Sequence, residues 1–348
     1  MGNNTQTNVL FHGLVTNTQY ILIMEFYSEV GTVLSFFGIV SNIINIRTFC
    51  AMGLNDGITV SFLCLSIFDL IYLIPSFSLG ISIALGVIEL RTPKAFVIEP
   101  QGVSILLANF MVLVSVTNVL TTTFLAVARC MCVAKPLHFK NWFNKTKTLA
   151  FIGSFIVVAV VSYAPVIANL GITMQFDVMK NLTRPILWVS PKRESIKVIS
   201  WIIIDLILPF TTQFTVVVCV VIMASSLRVS SRFRQSAVSM STADKKGNNT
   251  LSSKSTVPKD KLTGKDVLVV QQVVLISVVY IICNTPKMMI SVAAITVPGF
   301  TIGQRYSNLY LSVNTLRQQF EIFNSSVNTF IYYRYNTKFR ELLLSCFK

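Results

Sequence analysis

Charged side chains inside long apolar stretches are the residues of this sequence best placed to do chemistry. Asp69 lies in the run LSIFDL, Lys287 follows YIICNTP, and Glu321 precedes a polar run that begins at Asn324. A charged group at the centre of a bilayer costs about 2.5 to 3.5 kcal/mol on insertion scales, so such groups normally face a bundle interior or water. These three residues are therefore candidates for binding or for an ion path.

Residues suited to hydrolytic or metal-based catalysis are sparse by comparison. The chain has two histidines, His12 and His138, and its seven cysteines form no CxxC or His-rich metal spacing. No base stands beside an evident nucleophile. We therefore predict no enzyme activity, no catalytic residue and no cofactor, and a membrane enzyme is the least favoured of the functions considered.

The elements that carry these residues are predicted to be membrane-spanning helices. Of 348 residues, 53% are hydrophobic and 12% are charged, more apolar material than a water-facing chain of this length needs for its core. Segments of about 20 apolar residues span a bilayer as helices. The predicted fold is an all-α membrane protein, a seven-helix bundle with a short interfacial eighth helix. The seven segments are Val30–Cys50, Ile58–Leu79, Gly102–Val133, Thr148–Leu170, Val198–Leu227, Val267–Val297 and Leu309–Tyr333.

The distribution of basic residues predicts the topology. Residues 1–28 contain no lysine or arginine, whereas most of the chain's 29 fall in segments that an outside N-terminus would make cytoplasmic. Three divisions follow: an extracellular 1–29, a bundle over 30–333 whose third inner loop (229–265) is expected to be disordered, and a cytoplasmic 334–348. Since topology explains the net charge of +15, nucleic-acid binding is not predicted.

Several modification sites follow from this topology. Asn3 and Asn181 begin N-x-T sequons on the outside and are predicted glycosylation sites. No cleaved signal peptide is expected. In the interfacial helix, Phe339 is expected to face lipid, and Cys346 is a candidate for palmitoylation or else a plain thiol. The inner loop is rich in Ser and Thr, which suits kinases and arrestin as partners, although a solvated linker fits its composition as well.

Six short sequence motifs occur one after another along the predicted helices. They are GIVSN ending at Asn42, LSIFDL with Asp69, LAVARCMCVAKPLHF with Arg129, LILPF with Pro209, YIICNTP with Pro286, and NTFIY with Asn328 and Tyr332. Together with seven spans and an outside N-terminus, this order resembles that of rhodopsin-like (class A) G-protein-coupled receptors. Four departures indicate a divergent member that resembles invertebrate peptide or chemosensory receptors: Ala128 precedes the arginine, Asn284 replaces a tryptophan, Thr329 replaces a proline, and Ser104 replaces a disulfide cysteine.

The resemblance implies a sodium site around the acid of the second helix. The matching positions are Asp69, Asn118, Asn324 and Ser325, whose oxygens suit a small hard cation. A sodium ion would then be an allosteric modulator. A water-filled hydrogen-bond network without sodium is the equally weighted alternative.

The resemblance also implies an activation switch. Arg129 is expected to pair with Asp266 at rest, and movement of the sixth helix about Pro286 would free it for a heterotrimeric G protein. An alternative role for Asp266 is to begin its helix, where a negative charge is favourable. The other switch positions carried over from the family are Tyr280, Asn284, Asn328 and Tyr332.

By the same resemblance, Lys287, Glu321 and Met111 approach the ligand cavity. A Lys287/Glu321 ion pair could yield to a ligand that carries a carboxylate and an amine, or it could be purely structural. Met111 occupies the position of the aspartate of aminergic receptors, and Ile322 that of the retinal lysine of opsins, so neither monoamine nor retinal is expected.

The favoured function is a plasma-membrane receptor that converts binding of an extracellular peptide or small chemosensory molecule into G-protein activation. A transporter or channel that uses Asp69, Glu321 and Lys287 as an ion path is the alternative.

Overall fold

The computed structural model describes residues 14–134, 143–177, 181–243 and 264–345, with only the backbone described for 227, 229–243 and 264–266. Helices dominate, at 82% of the structure. The elements in chain order are α1 (Asn17–Met52), α2 (Gly57–Arg91), α3 (Pro100–Ala134), α4 (Lys145–Ile167), β1 (Leu170–Asp177), β2 (Leu182–Val189), α5 (Arg193–Trp201), a π-helical segment (Ile202–Ile207), α6 (Leu208–Ala243), α7 (Gly264–Thr296), α8 (Ser307–Tyr335) and α9 (Thr337–Ser345).

Polar caps set where several helices begin. Thr16 and Gln19 form a capping box before α1, in which each side chain bonds to the other residue's backbone N–H. Asp56 and Asn144 accept backbone N–H groups in the first turns of α2 and α4. Gly53 ends α1 with a positive φ of 86°, a conformation that glycine adopts without steric cost.

Six helices of the described residues are long and apolar enough to cross a membrane, one of them formed by α5, the π-helical segment and α6 together. Their outward surfaces carry large apolar side chains such as Phe26, Phe37 and Phe214, each more than half exposed. Without a membrane such exposure would be unfavourable, so these surfaces fit contact with lipid. The chain is therefore compatible with a multi-pass, predominantly helical membrane protein.

The seventh predicted span differs from the other six. Its helix, α8, is present but is not among those apolar enough to cross by composition. It lies along α1: Asn308 bonds to Asn17 near the start of both helices, Thr329 bonds to Asn45, and the Tyr332 ring contacts the Phe49 ring at 5.0 Å. Since residue numbers rise together along the two helices, α1 and α8 run in the same direction.

Close contacts of α1 with α8 and with α2 depend on small residues. A Cβ at Gly38 would overlap the Ser326 hydroxyl of α8 and lie 2.9 Å from Leu73 of α2. Ser35 and Ser76 share a hydrogen bond of 2.9 Å across the α1/α2 contact. These small polar residues let three backbones approach closely.

The connection between α4 and α5 was not predicted. We expected the fourth helix to reach Leu170, but it ends at Ile167, and Leu170 begins an antiparallel hairpin in which Leu170 pairs with Val189 and Asp177 with Leu182. Asn181, in the turn, has a positive φ of 50° and is exposed. The prediction of an all-α fold therefore missed one two-stranded sheet.

Two other boundaries differ from the sequence prediction. The helix that ends in α6 begins at Arg193 and continues to Ala243, well into the segment assigned to the third inner loop. Residues 244–263 of that loop lie outside the described residues, as do Asn3 and Cys346. The predicted interfacial helix is found as α9, but Phe339 does not face outward: it is fully buried, with its ring 5.2 Å from Phe49 and 5.6 Å from Tyr332.

Candidate functional site

A polar cavity lies between α2, α3, α7 and α8. It brings together residues that the sequence analysis assigned to two separate sites, the sodium site and the ligand site. Its polar lining consists of Tyr72, Ser115, Asn118, Thr122, Tyr280, Asn284, Lys287, Glu321, Asn324 and Ser325.

Asp69 lies at one end of this polar region and is 1% exposed. Its two carboxylate oxygens accept hydrogen bonds from different helices: Asn118 Nδ2 of α3 donates at 3.2 Å and Asn328 Nδ2 of α8 at 2.9 Å. Ser325 is buried beside the carboxylate, and its backbone carbonyl accepts from Asn42 Nδ2 at 2.8 Å. The acid therefore connects α2 to α3 and α8, and Asn42 adds α1.

This geometry bears on the predicted sodium site. Both amides present their NH₂ groups to Asp69, which satisfies a carboxylate through hydrogen bonds, while Asn118 Oδ1 is buried without a protein partner. A buried acceptor of this kind needs a donor or a cation. Among the described residues no group of three His, Cys, Asp or Glu comes together. A hydrated network fits these hydrogen bonds directly, and a small cation would require Asn118 to turn its oxygen towards Asp69.

Lys287 forms an ion pair that the sequence analysis did not identify. Its Nζ lies 3.0 Å from Asp205 Oδ1, with 6% of the lysine side chain exposed. The predicted pairing of Lys287 with Glu321 is wrong in this structure, because each has a different ionic partner. Asp205 could have been identified from the sequence as a candidate site residue, since it is an acid in the apolar run WIIIDLILPF.

The π-helical segment explains how Asp205 reaches Lys287. Pro209 has no N–H to donate to the Asp205 carbonyl four residues earlier, so that helical hydrogen bond cannot form. The Leu208 N–H bonds instead to Ile203 O, and Ser291 Oγ of α7 donates to the Asp205 carbonyl at 2.7 Å. A one-turn π segment changes the rotation of the residues around it and is frequent at functional sites.

Glu321 is held by two partners. Arg317 donates to its Oε1 at 2.6 Å, one turn earlier on α8, and the Tyr72 hydroxyl donates to its Oε2 at 2.7 Å. Sequence reasoning missed both, although an arginine four residues before a glutamate on a helix is a recognisable pairing pattern. The cavity thus contains one end of each of two ion pairs, Lys287–Asp205 and Arg317–Glu321.

Polar contacts also join α6 to α7 beside the helix-interrupting proline. Asn284 Nδ2 donates to Gln213 Oε1 at 3.1 Å, and Gln213 Nε2 donates to the Ile281 carbonyl at 3.2 Å. Tyr280 shares a hydrogen bond of 3.0 Å with Thr212. Since Pro286 weakens the backbone hydrogen bonding of α7 at this level, side chains of α6 help to hold the helix in place.

The remaining predicted site residues are placed as follows. Arg129 and Tyr332 are buried at the other end of the bundle, Tyr332 among the rings of Phe49 and Phe339. The side chain of Asp266 lies outside the described residues, so its pairing with Arg129 stays a prediction. Met111 is 2% exposed and packs in an apolar cluster with Tyr72 and Ile322, rather than lining the cavity.

No protein-family model matches the chain, and no curated protein matches it.

Proposed function

We propose that this chain is a receptor of the rhodopsin-like type, with seven membrane-spanning helices. The observation that carries the proposal is the buried Asp69 carboxylate, which is bound by amides of α3 and α8 next to a cavity lined by Lys287 and Glu321, one member of each of two ion pairs. An arrangement in which one polar centre joins several helices can pass a change in the cavity to the helices themselves.

The proposal requires α8 to be the seventh span. With 29 residues it is about 44 Å long, more than the roughly 30 Å of a bilayer core. It lies beside α1 and in the same direction over the length of that apolar helix, from Asn17 to Phe49. Its low apolarity comes from residues that bond within the bundle, such as Arg317, Glu321 and Asn328. A criterion based on apolar composition alone therefore does not count α8 as a membrane span.

In this proposal an extracellular ligand binds in the cavity and competes with its ion pairs. A ligand carboxylate would replace Asp205 at Lys287, and a ligand amine would replace Arg317 at Glu321. A peptide terminus or a small chemosensory molecule such as an amino acid has this pair of groups. Replacing an internal partner by a ligand limits the cost of opening a buried pair.

Activation would follow from movement of α7 about Pro286. Breaking the Lys287–Asp205 pair removes a contact between α7 and the π-helical segment, and the Asn284–Gln213 bond is the next one along the same interface. Outward movement of α7 would free Arg129 for a heterotrimeric G protein. Kinases and arrestin would then act at the third inner loop, and Asn181 would be glycosylated at the plasma-membrane surface.

The test is ligand-dependent nucleotide exchange by purified G proteins with the full chain in lipid nanodiscs. Amino acids and short peptides, each with free and blocked termini, are the probes. We expect Lys287→Gln to raise the half-maximal concentration of an active probe about tenfold or more, as loss of a charge-assisted contact should. Lys192→Gln, an exposed lysine outside the cavity, is the matched control and should leave it unchanged. Absence of nucleotide exchange with every probe and G protein would reject the receptor.

A transporter or channel is the second candidate, because several charged residues lie inside the bundle: Asp69, Asp205, Lys287, Arg317 and Glu321. Ion or amino-acid flux into proteoliposomes that contain this chain and no G protein would support that function. Flux that is lost in Asp69→Asn, without any nucleotide exchange in the first assay, would favour it over the receptor.

A further inference from the structure

A second and larger cavity lies at the end of the bundle beside the β hairpin. It is lined by α1, α2, the start of α3 and the two strands. It is separate from the polar cavity between α2, α3, α7 and α8, with which it shares no lining residue. Its walls combine apolar side chains with charged ones: Tyr20, Ile21, Met24, Ile83, Val87, Leu90 and Pro100 on the apolar side, and Glu89, Glu99, Asp177 and Arg184 on the charged side.

A salt-bridge cluster holds the hairpin over this cavity. Arg184 of β2 bonds to Glu89 of α2 at 2.5 Å and to Asp177 of β1 at 2.7 Å. Burial lowers the pKa of Arg184, but the hydrogen bonds and charges of these two carboxylates outweigh it and raise the pKa overall. Two of the three carboxylates thus share one guanidinium, which balances only one of their two negative charges.

Glu99 is the third carboxylate, and it has no side-chain hydrogen bond or ion pair within the described part of the chain. Its backbone N–H bonds to the Pro185 carbonyl of the hairpin, and its Oε2 lies over Gly102 in the first turn of α3. The cavity wall therefore carries an excess negative charge at a defined point.

Two serines of the wall form hydrogen bonds within it. Ser104 donates to Ser82 at 3.1 Å, and Ser82 donates to the Pro100 carbonyl at 2.7 Å. Because Ser104 stands in the place of the disulfide cysteine expected from the family resemblance, no covalent bond draws α3 and the hairpin together there, and all the described cysteines are free. The start of α3 contacts the hairpin through the Glu99 N–H bond to the Pro185 carbonyl, and the cavity lies beside this contact.

We infer that this cavity binds an organic cation, a ligand with a protonated amine or guanidinium joined to an apolar body. The cation would pair with Glu99, and the apolar body would contact Val87, Ile83 and the first turns of α1. A small free amine and the amino terminus of a peptide carry the same chemistry. This second site goes beyond the proposed receptor function, since binding here requires no G protein.

Binding is measured on the purified full chain in nanodiscs by fluorine NMR. Two probes carry fluorine and are observed directly: 4-(trifluoromethyl)phenethylamine and the corresponding neutral alcohol. Two further probes, Phe-Leu-amide with a free and with an acetylated amino terminus, are tested by their competition with the fluorinated amine. We expect the amine to bind about tenfold or more tightly than the alcohol, and Glu99→Gln to remove that difference. Glu194→Gln is the control: it makes the same charge change on the same side of the bundle, on a side chain that is 73% exposed and outside the cavity.

A second variant tests the cavity without altering charge. A Cβ at Gly86 would meet its nearest neighbour, Pro100, at an ordinary 3.8 Å, so Gly86→Leu should fold and fill the space. Gly153→Leu is its control, because nothing lies within 4 Å of a Cβ there. Loss of amine binding in Gly86→Leu alone supports the site, and competition by the free but not the acetylated peptide indicates a peptide amino terminus as the source. Equal binding of amine and alcohol, equal effects of Glu99→Gln and Glu194→Gln, or no amine binding at millimolar concentration would each overturn the inference.

Discussion

The Lys287–Asp205 pair makes a prediction that separates the observed ionic partner from the one expected from sequence. Asp205→Asn leaves the Lys287 ammonium buried without its carboxylate, whereas Lys287→Met leaves the partly exposed carboxylate in contact with solvent. We therefore expect Asp205→Asn to be the more destabilising of the two single substitutions. The double variant, which has neither charge, should recover most of the loss.

The magnitude follows from the burial of the two groups. Removing one partner of a fully buried ion pair costs about 3 to 5 kcal/mol, but exposed pairs contribute little. Since 30% of the Asp205 side chain is exposed, we expect a loss of about 2 kcal/mol for Asp205→Asn. Coupling between the two sites should then be about 1 to 2 kcal/mol.

The assay is a double-substitution cycle on the free energy of unfolding, obtained from denaturant titration of the chain in lipid nanodiscs. A second cycle combines Lys287→Met with Glu321→Gln, and it serves as the control because Glu321 bonds to Arg317 and Tyr72 instead. Near-zero coupling in the first cycle together with strong coupling in the second would refute the assignment of Asp205. It would restore the pairing of Lys287 with Glu321.

Three further predictions concern other parts of the bundle. Gly38→Ala should lower the melting temperature because its Cβ would overlap Ser326, whereas Gly153→Ala, with open space around it, should raise it slightly in the same thermal assay. Asp69→Asn should cost about 1 to 3 kcal/mol of unfolding free energy, because it replaces an acceptor of two amide donors by a group that is itself partly a donor; an unchanged value would argue against those bonds. Arg184→Met should increase hydrogen exchange across residues 170–189, and exchange like that of the unsubstituted chain would show that the salt-bridge cluster does not hold the hairpin.

The sequence was sufficient for the helices and for the neighbourhood of Asp69. Long apolar segments predict helix and span together, and all seven predicted segments contain a helix in the structure. The family resemblance brought Asn118 and Ser325 to the right acid because position on a helix fixes which level of the bundle a residue occupies. Asn324, expected at the same acid, lines the cavity, and Asn328, assigned to the switch, donates to Asp69. The hairpin was missed although Leu170–Asp177 had a detectable signal, since apolar residues alternate with Gly171, Thr173, Gln175 and Asp177 as in a half-buried strand. This segment directly continues an apolar helix, and it was therefore assigned to the end of that helix.

Ionic partners were harder to predict because they depend on helix rotation, which sequence spacing does not fix. One residue of α-helix turns the side-chain direction by about 100°, so a local change of hydrogen bonding decides which neighbour a charge meets. Pro209 leaves the Asp205 carbonyl without its helical donor. The backbone before the proline is π-helical, and Ser291 of α7 donates a hydrogen bond to that carbonyl. Lys287 lies one turn before Ser291, where it meets the Asp205 carboxylate. The same proline that supports the family resemblance thus sets the geometry that makes Asp205, rather than Glu321, the partner of Lys287.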